Sequence, residues 1–165
     1  MRRKALILTA AVLLALLLAV PASASKSQEV KGVFVGGGPG DFVEENVGNT
    51  CHVLGWNAPS WLSGDITVES FNDYRSVAQG PCPGGPFIIP ESIHAWGRSE
   101  GEVLGKSGAY DFQCHGLWQP DVPRTLMYNC VIAGTEGELA GLKGHYTIDM
   151  LAGTYAGEVH FDPDK

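Results

Sequence analysis

The chain has 165 residues, among them 18 acidic residues, 11 Lys or Arg and 22 glycines. A formal net charge of −7 leaves no basic surplus for phosphate backbones, so nucleic acid and anionic membrane surfaces are not expected partners. The length suits one domain that buries roughly two-thirds of its unfolded surface.

The first 24 residues predict a secretory signal peptide. A basic start at residues 1–4 precedes an apolar run over residues 5–20, and Ala22-Ser23-Ala24 is an Ala-x-Ala cleavage site. The alternative is a retained membrane anchor, which the short apolar run and the clean cleavage site disfavour. Cleavage after Ala24 leaves one domain, residues 25–165, with 8 basic and 18 acidic residues. We therefore expect a secreted protein, periplasmic in a Gram-negative cell, without a stable membrane anchor.

Four cysteines remain in the mature chain, namely Cys51, Cys82, Cys114 and Cys130. An even number in an exported protein favours disulfide bonds, because the compartments outside the cytoplasm are oxidising. No Cys-x-x-Cys pair occurs, which disfavours a zinc ribbon and a thioredoxin-like redox site. Four cysteines allow three pairings, and their spacing alone does not choose among them.

The segments after the signal peptide indicate strands rather than helices. Short runs rich in Val, Ile, Thr, Tyr and Phe recur between Gly, Pro and Asn, and no window keeps a helical apolar spacing without glycine or proline. The predicted strands lie near Val30–Val35, Thr50–Trp56, Leu62–Asn72, Ile93–Val103, Ala109–Trp118, Leu126–Ala133, Leu139–Met150 and Thr154–Phe161. These strands predict an all-β fold, a single closed, mostly antiparallel barrel of about eight strands.

The hairpin around the loop Gln119–Arg124 can be given a register. Centring it on Val122 produces one apolar face from these opposed pairs: Trp118 with Leu126, Gly116 with Tyr128, Cys114 with Cys130, and Phe112 with Ile132. Opposed Cβ atoms in a sheet lie about 4.5–5.5 Å apart. The register therefore favours a Cys114–Cys130 disulfide, which leaves Cys51 to pair with Cys82.

The last two predicted strands are rich in glycine. A hairpin register can be chosen that places Tyr146 opposite Gly157 and Ile148 opposite Tyr155. In this register the large side chain of Tyr146 covers the position where Gly157 has no side chain. Glycine inside a strand permits the bends that a small barrel needs. These glycines therefore predict barrel closure rather than a phosphate-binding or catalytic loop, and no cofactor is predicted.

The segment "GTEGELAGLKGHYTID" (residues 134–149), followed by "YAGEVHFDP" (residues 155–163), resembles an uncharacterised bacterial secreted branch of the allene oxide cyclase-like, or dirigent-like, β-barrel class. "SGDITVES" (residues 63–70) and "GKSGAYDFQCHG" (residues 105–116) are similar to the middle of those domains. Glu136 departs from the Gly-Thr-Gly form of the motif. The resemblance implies a closed, mostly antiparallel barrel, and it implies neither a reaction nor a catalytic residue.

Residues that could carry chemistry are scattered, so no catalytic residue and no metal site is assigned. The histidines are His52, His94, His115, His145 and His160, and their spacing is not a recognised metal pattern. Five carboxylates lie in or beside strands, namely Glu69, Glu91, Asp111, Glu138 and Glu158. Any of them that points into the barrel interior becomes a catalytic candidate.

Aromatic residues on the predicted strands are the stronger indication of function. An eight-stranded barrel is either packed solid or holds one small ligand. Most aromatic side chains are expected to fill the core, and the candidates for lining a ligand lumen are Trp96, Phe112, Trp118, Tyr128, Tyr146 and Tyr155. Such a lumen suits a small apolar or aromatic molecule.

Three hypotheses remain open. The favoured one is an exported barrel that binds a small, largely apolar ligand, and the others are a filled structural or interaction barrel and a cyclase- or isomerase-type enzyme. An open cavity would favour binding or catalysis, and a carboxylate touching it would favour catalysis. A packed interior with an exposed apolar patch would favour the structural hypothesis. The oligomeric state is not indicated.

Overall fold

The structure is a computed structural model that describes residues 26–82, 92–119 and 125–162. These residues form strands and turns, and they include no helix long and apolar enough to cross a membrane. The strands are β1 (Gln28–Gly36), β2 (Asp41–Val47), β3 (Thr50–Gly64), β4 (Ile66–Gln79), β5 (Ser92–Val103), β6 (Lys106–Gln119), β7 (Thr125–Gly137), β8 (Leu142–Asp149) and β9 (Thr154–Phe161). The predicted signal peptide, Met1–Ala24, lies outside the described residues.

All of these strands belong to one antiparallel sheet, in the order β1-β9-β8-β7-β6-β5-β4-β3-β2. β1 also pairs with β3, through Gly32–Gly36 against Ser60–Gly64. Eight strands therefore form a ring of pairings, and β2 extends the sheet beside β3. The prediction of an all-β, antiparallel fold built from one sheet is confirmed.

The observed strands differ from the predicted ones in several places, and β3 and β4 also cover residues 57–61 and 73–79, which were not predicted to be strand. The predicted strand Leu62–Asn72 is the end of β3 and the start of β4, because a tight turn at Gly64 (φ 121°) and Asp65 separates them. β2 is absent from the prediction because its sequence, "DFVEENV", is acidic and does not resemble a strand. The predicted start of the eighth strand, Leu139–Gly141, is a turn.

The two predicted hairpin registers are confirmed. β6 and β7 place Cys114 opposite Cys130, together with the three other predicted pairs of that hairpin. β8 and β9 place Tyr146 opposite Gly157. β5 and β6 are joined by the two-residue turn Leu104–Gly105, whose φ angles of 53° and 77° are both positive, as a type I′ turn requires.

Two disulfide bonds join Cys114 to Cys130 and Cys51 to Cys82, which is the pairing that the hairpin register favours. The first links opposed residues of β6 and β7, and the second ties the start of β3 to the segment after β4. Two disulfides are typical of a protein that works outside the reducing cytoplasm.

One face of the sheet carries a packed core. Its largest fully buried side chains include Tyr110, Ile66, Leu139 and Leu142. The hydroxyl group of Tyr155, in β9, links this core to the backbone of β4 by two hydrogen bonds. It accepts a hydrogen bond from the Ile66 amide (2.7 Å) and donates one to the Ile66 carbonyl (3.1 Å).

Several glycines on the buried face lie directly opposite an aromatic residue of the neighbouring strand, and in five of these pairs the aromatic residue occupies the space beside the glycine. The pairs are Gly32 with Tyr155, Gly55 with Tyr74, Gly97 with Phe112, Gly116 with Tyr128, and Gly157 with Tyr146. A Cβ atom at each of these glycines would lie 3.0 Å or less from its aromatic partner. The aromatic residues thus occupy the space that the glycines leave, and they cover the glycine backbone.

Candidate functional site

A cavity of about 360 Å³ lies on the buried face of the sheet, beside the packed core. Most of its lining is apolar, including Phe34, Phe42, Val53, Ile93, Ala95 and Met150. The polar members of the lining are Glu44, Ser60, Asn72, Tyr74, Ser76 and Tyr128. Its volume falls in the lower part of the range of small-molecule sites, which is about 300–1,000 Å³.

The cross-strand register explains why these side chains meet. Directly opposed residues share a face of the sheet. From Glu44, successive partners on β3, β4, β5, β6 and β7 form one row of Val53, Ser76, Ile93, Gly116 and Tyr128. The next row on the same face holds Phe42, Gly55, Tyr74, Ala95 and Cys114. The two rows are separated by roughly 6.6 Å along the strands.

Tyr74 and Tyr128 supply the two phenol groups of the cavity. Each ring covers a glycine of the adjacent strand, Gly55 and Gly116 respectively. Burial, with a smaller contribution from Tyr74, raises the pKa of Tyr128 to about 12. Burial also raises the pKa of Tyr74. Both phenols therefore stay neutral near pH 7.

Glu44 is the one formally charged residue among the described residues that line the cavity. Its Oε1 atom is buried and has no hydrogen-bond partner in the described part of the chain. Its neighbours Val43 and Val47 point outward and are 54% and 49% exposed. A strand with one buried face ordinarily buries its valines and exposes its glutamate. β2 does the reverse, and such departures from the usual pattern are expected at functional positions.

Two local features hold β2 in this orientation. The two-residue turn Gly48–Asn49, with Gly48 at φ 63°, brings Val47 opposite Thr50 and so sets the register of the hairpin. The side-chain oxygen of Asn46 accepts a hydrogen bond of 2.8 Å from the amide of Cys82, which is itself bonded to β3. The position of Glu44 therefore follows from the turn and from the disulfide.

Asn72 organises the opposite wall of the cavity. Its Nδ2 atom donates to the carbonyl of Ala58 (2.9 Å) and to Oγ of Ser60 (3.0 Å). These bonds brace β3 where its pairing with β4 is irregular, between Gly55 and Ala58. The amide group of Asn72 thus has a structural role beside the cavity.

Four of the six predicted lumen residues are divided between the cavity and the packed core. Tyr128 lines the cavity. Phe112, Tyr146 and Tyr155 lie on the same face of the sheet, but they are buried in the core and do not line the cavity. The rings of Tyr146 and Tyr155 meet edge to face at 5.8 Å.

The hydroxyl group of Tyr110 is also buried in the core. It is buried without a hydrogen bond of good geometry, although the hydroxyl groups of Ser99 and Tyr146 are near enough to affect it. Burial raises the pKa of Tyr110 to about 12. Ser99 forms its own buried hydrogen bond, of 2.6 Å, with Ser70.

The remaining predicted aromatic candidates are Trp96 and Trp118. Trp96 is on the face opposite the cavity, where its ring is 5.1 Å from that of His94. His94 stacks in turn on His115, with ring centroids 4.3 Å apart and planes within 5°. Burial, followed by the charges of His115 and Arg75, lowers the pKa of His94. The side chain of Trp118 lies outside the described part of the chain.

The other histidines do not form a metal site within the described ranges. His145 lies opposite Glu158, and His160 lies opposite Lys143. No three His, Cys, Asp or Glu side chains of the described residues are arranged to hold a metal ion.

Four of the five carboxylates that were catalytic candidates are exposed, namely Glu69, Asp111, Glu138 and Glu158. Glu91 lies outside the described residues. The carboxylate that does reach the cavity, Glu44, is not among the candidates because β2 is not predicted as a strand. Recognising β2 from the two-residue turn at Gly48–Asn49 would have placed Glu44 on the same face as Phe42.

The fold is similar to the crystal structure of a protein of unknown function from the DUF3224 family of Shewanella oneidensis MR-1. The two share 20% sequence identity and a TM-score of 0.62, and the alignment covers 84% of this chain and 99% of that chain. At this identity the likeness extends to the fold alone. Neither a family model nor a curated protein sequence matches the chain.

Proposed function

We propose that this protein binds a small, largely apolar molecule in the cavity beside its core. The cavity of about 360 Å³ is the observation that supports the proposal. Protein interiors are close-packed and contain few voids larger than a water molecule. The cavity is partly open to solvent, and a concave, mostly apolar surface of this kind is typical of small-molecule sites. A space of this size, walled by Phe34, Phe42, Ile93 and Tyr128, therefore favours a ligand.

In this proposal the ring of strand pairings is a closed barrel, of the kind implied by the resemblance to allene oxide cyclase-like proteins. The packed core fills one part of its lumen and the ligand fills the other. After Gly36 the chain leaves β1 and continues as β2, which pairs with β3 alone in the described part of the sheet. The proposed entrance is at the edge of β2 that has no strand partner among the described residues.

The proposal also includes export. Cleavage after Ala24 would release a chain whose two disulfides form in an oxidising compartment. The ligand would then be met outside the cytoplasm.

Native mass spectrometry of the protein secreted by its own cells tests these points together. The expected species is residues 25–165 with two disulfides and one bound small molecule, which is lost on denaturation. The matched control is Ala95→Phe, which places a large side chain in the cavity and should remove the bound molecule while the protein stays folded. A molecule retained equally by both proteins would contradict the proposed site. A parent protein that carries no molecule and takes up no apolar probe would contradict binding.

Glu44 supports a second candidate, a cyclase- or isomerase-type enzyme. A carboxylate oxygen without a partner, facing an apolar cavity, is the arrangement that a general base needs. Incubating the co-purified molecule with the parent protein and with Glu44→Gln distinguishes the two functions. Conversion by the parent alone would support catalysis, and recovery of unchanged molecule from both proteins would support binding.

A further inference from the structure

The charge of the cavity bears on the chemical class of its ligand, and the inference that follows rests on the proposed binding function. We propose that the cavity selects an organic cation, a molecule with an apolar or aromatic body and an ammonium-type group that pairs with Glu44.

The first support is the charge balance of the site. Glu44 is the one formally charged residue in the described lining, and none of the described Lys or Arg residues is part of it. Arg75 lies between the cavity residues Tyr74 and Ser76 on β4, but it is exposed and lies opposite Leu54 and His94 on the outer face. Arg98 is engaged with Glu136 at 2.7 Å. Within the described chain, the cavity thus presents a negative group without a counter-charge.

The second support is the state of the carboxylate. Oε1 of Glu44 is buried and has no partner in the described residues. A buried acceptor without a donor carries a desolvation penalty that a ligand can remove by supplying an N–H group. An ammonium group would do so with a charge-assisted hydrogen bond, which is stronger than a neutral one. A neutral hydrocarbon would leave the oxygen unpaired, and an anion would be repelled.

The third support is the aromatic surroundings. Phe42 lies two residues before Glu44 on the same face of β2, and Tyr74 lies across Gly55 from Phe42. The faces of Phe and Tyr rings attract cations. The rows that carry Phe42 and Glu44 are roughly 6.6 Å apart along the strand. One small molecule can therefore contact the rings with its body and the carboxylate with its charged group.

Binding of three fluorescent probes that share one aromatic body tests the proposal. The probes are 1-naphthylmethylammonium, 1-naphthylmethanol and 1-naphthoate, each titrated near neutral pH into the parent protein, Glu44→Gln and Glu45→Gln. Glu45 is the matched control, because it is exposed, lies opposite His52 on the outer face, and removes the same charge when replaced.

The parent protein should bind the ammonium probe at least tenfold more tightly than the alcohol, and the carboxylate probe most weakly. Glu44→Gln should reduce the difference between ammonium and alcohol to about twofold, whereas Glu45→Gln should keep it. Equal binding of all three probes by the parent would overturn the cation proposal but would still support the binding function. This outcome is measured on the parent alone, so it does not depend on whether Glu44→Gln folds. Preference for the ammonium that survives in Glu44→Gln would also overturn it. Failure of every probe to bind would overturn both proposals.

Discussion

Replacing Gly157 by alanine tests the packing of the glycine–aromatic pairs. Gly157 lies in β9 directly opposite Tyr146 of β8. A Cβ atom at Gly157 would lie 2.5 Å from Cα and 2.6 Å from Cβ of Tyr146, and closer still to the carbonyl oxygen of His145. Carbon atoms in favourable contact are about 3.5–4.0 Å apart. The methyl group of alanine therefore requires β8 and β9 to separate by roughly 1 Å.

The magnitude follows from what must move. Overpacking a well-packed site costs about 1–3 kcal/mol. The atoms opposing the new methyl group include backbone atoms of His145 and Tyr146 rather than a flexible side-chain end, so the sheet itself must shift. We expect a loss of about 2–3 kcal/mol in the free energy of unfolding, near the top of that range. For a domain of this size that is a decrease in Tm of roughly 6–12 °C.

Urea unfolding followed by tryptophan fluorescence measures this loss. The control is Gly36→Ala in β1, where a Cβ atom would meet the ring of Phe34 at 3.7 Å, an ordinary contact. We expect Gly36→Ala to stay within about 0.5 kcal/mol of the parent. If Gly157→Ala is as stable as Gly36→Ala, the packing of β9 against Tyr146 described above is wrong.

Three further outcomes are expected. Tyr155→Phe should lower the free energy of unfolding by about 2–3 kcal/mol in the same urea assay, because it leaves the buried amide and carbonyl of Ile66 without their partner; a change near zero would show that these bonds are unimportant. The double variant Cys114→Ala, Cys130→Ala should lose about 3 kcal/mol, and unfolding of the parent under reducing conditions should show a loss at least as large. All five tyrosines have raised pKa values, that of Tyr128 to about 12 through burial. Burial favours the neutral phenol, so this stability is fully present below the unfolded-state pKa of about 10 and is lost as the pH rises towards 12. In an alkaline titration, phenolate absorbance should rise together with unfolding, and a tyrosine that ionises near pH 10 in the folded protein would contradict the burial.

Local pairing was predictable from the sequence where the chain carries strong markers. The proline-containing loop centred on Val122 and the spacing of Cys114 and Cys130 were enough to register β6 against β7. The glycines of the last hairpin indicated the register of β8 against β9, because that alignment places the large side chain of Tyr146 opposite Gly157. These signals lie on the same hairpins whose register they indicate, so they need no knowledge of the rest of the sheet.

The cavity was not predictable in the same way. The orientation of Glu44 depends on the pairing of β2 with β3 and on the bond between Cys51 and Cys82, which are 31 residues apart. The alternation within β2 also predicts the wrong orientation, because an apolar pattern would bury Val43 and Val47, whereas both face outward in the structure. The division of the buried face into core and cavity depends on side-chain volumes summed over several strands, which no single segment encodes.

The central claim is that the cavity accepts a small molecule, and nuclear magnetic resonance of the methyl groups around it tests this most directly. Titration with 1-naphthylmethylammonium should produce saturable shifts at Val53, Ile93 and Met150, which line the cavity. Leu117 and Val131, which are 61% and 59% exposed on the outer face, should not shift. Shifts confined to Leu117 and Val131, or no saturable shift at the cavity methyl groups, would contradict the account.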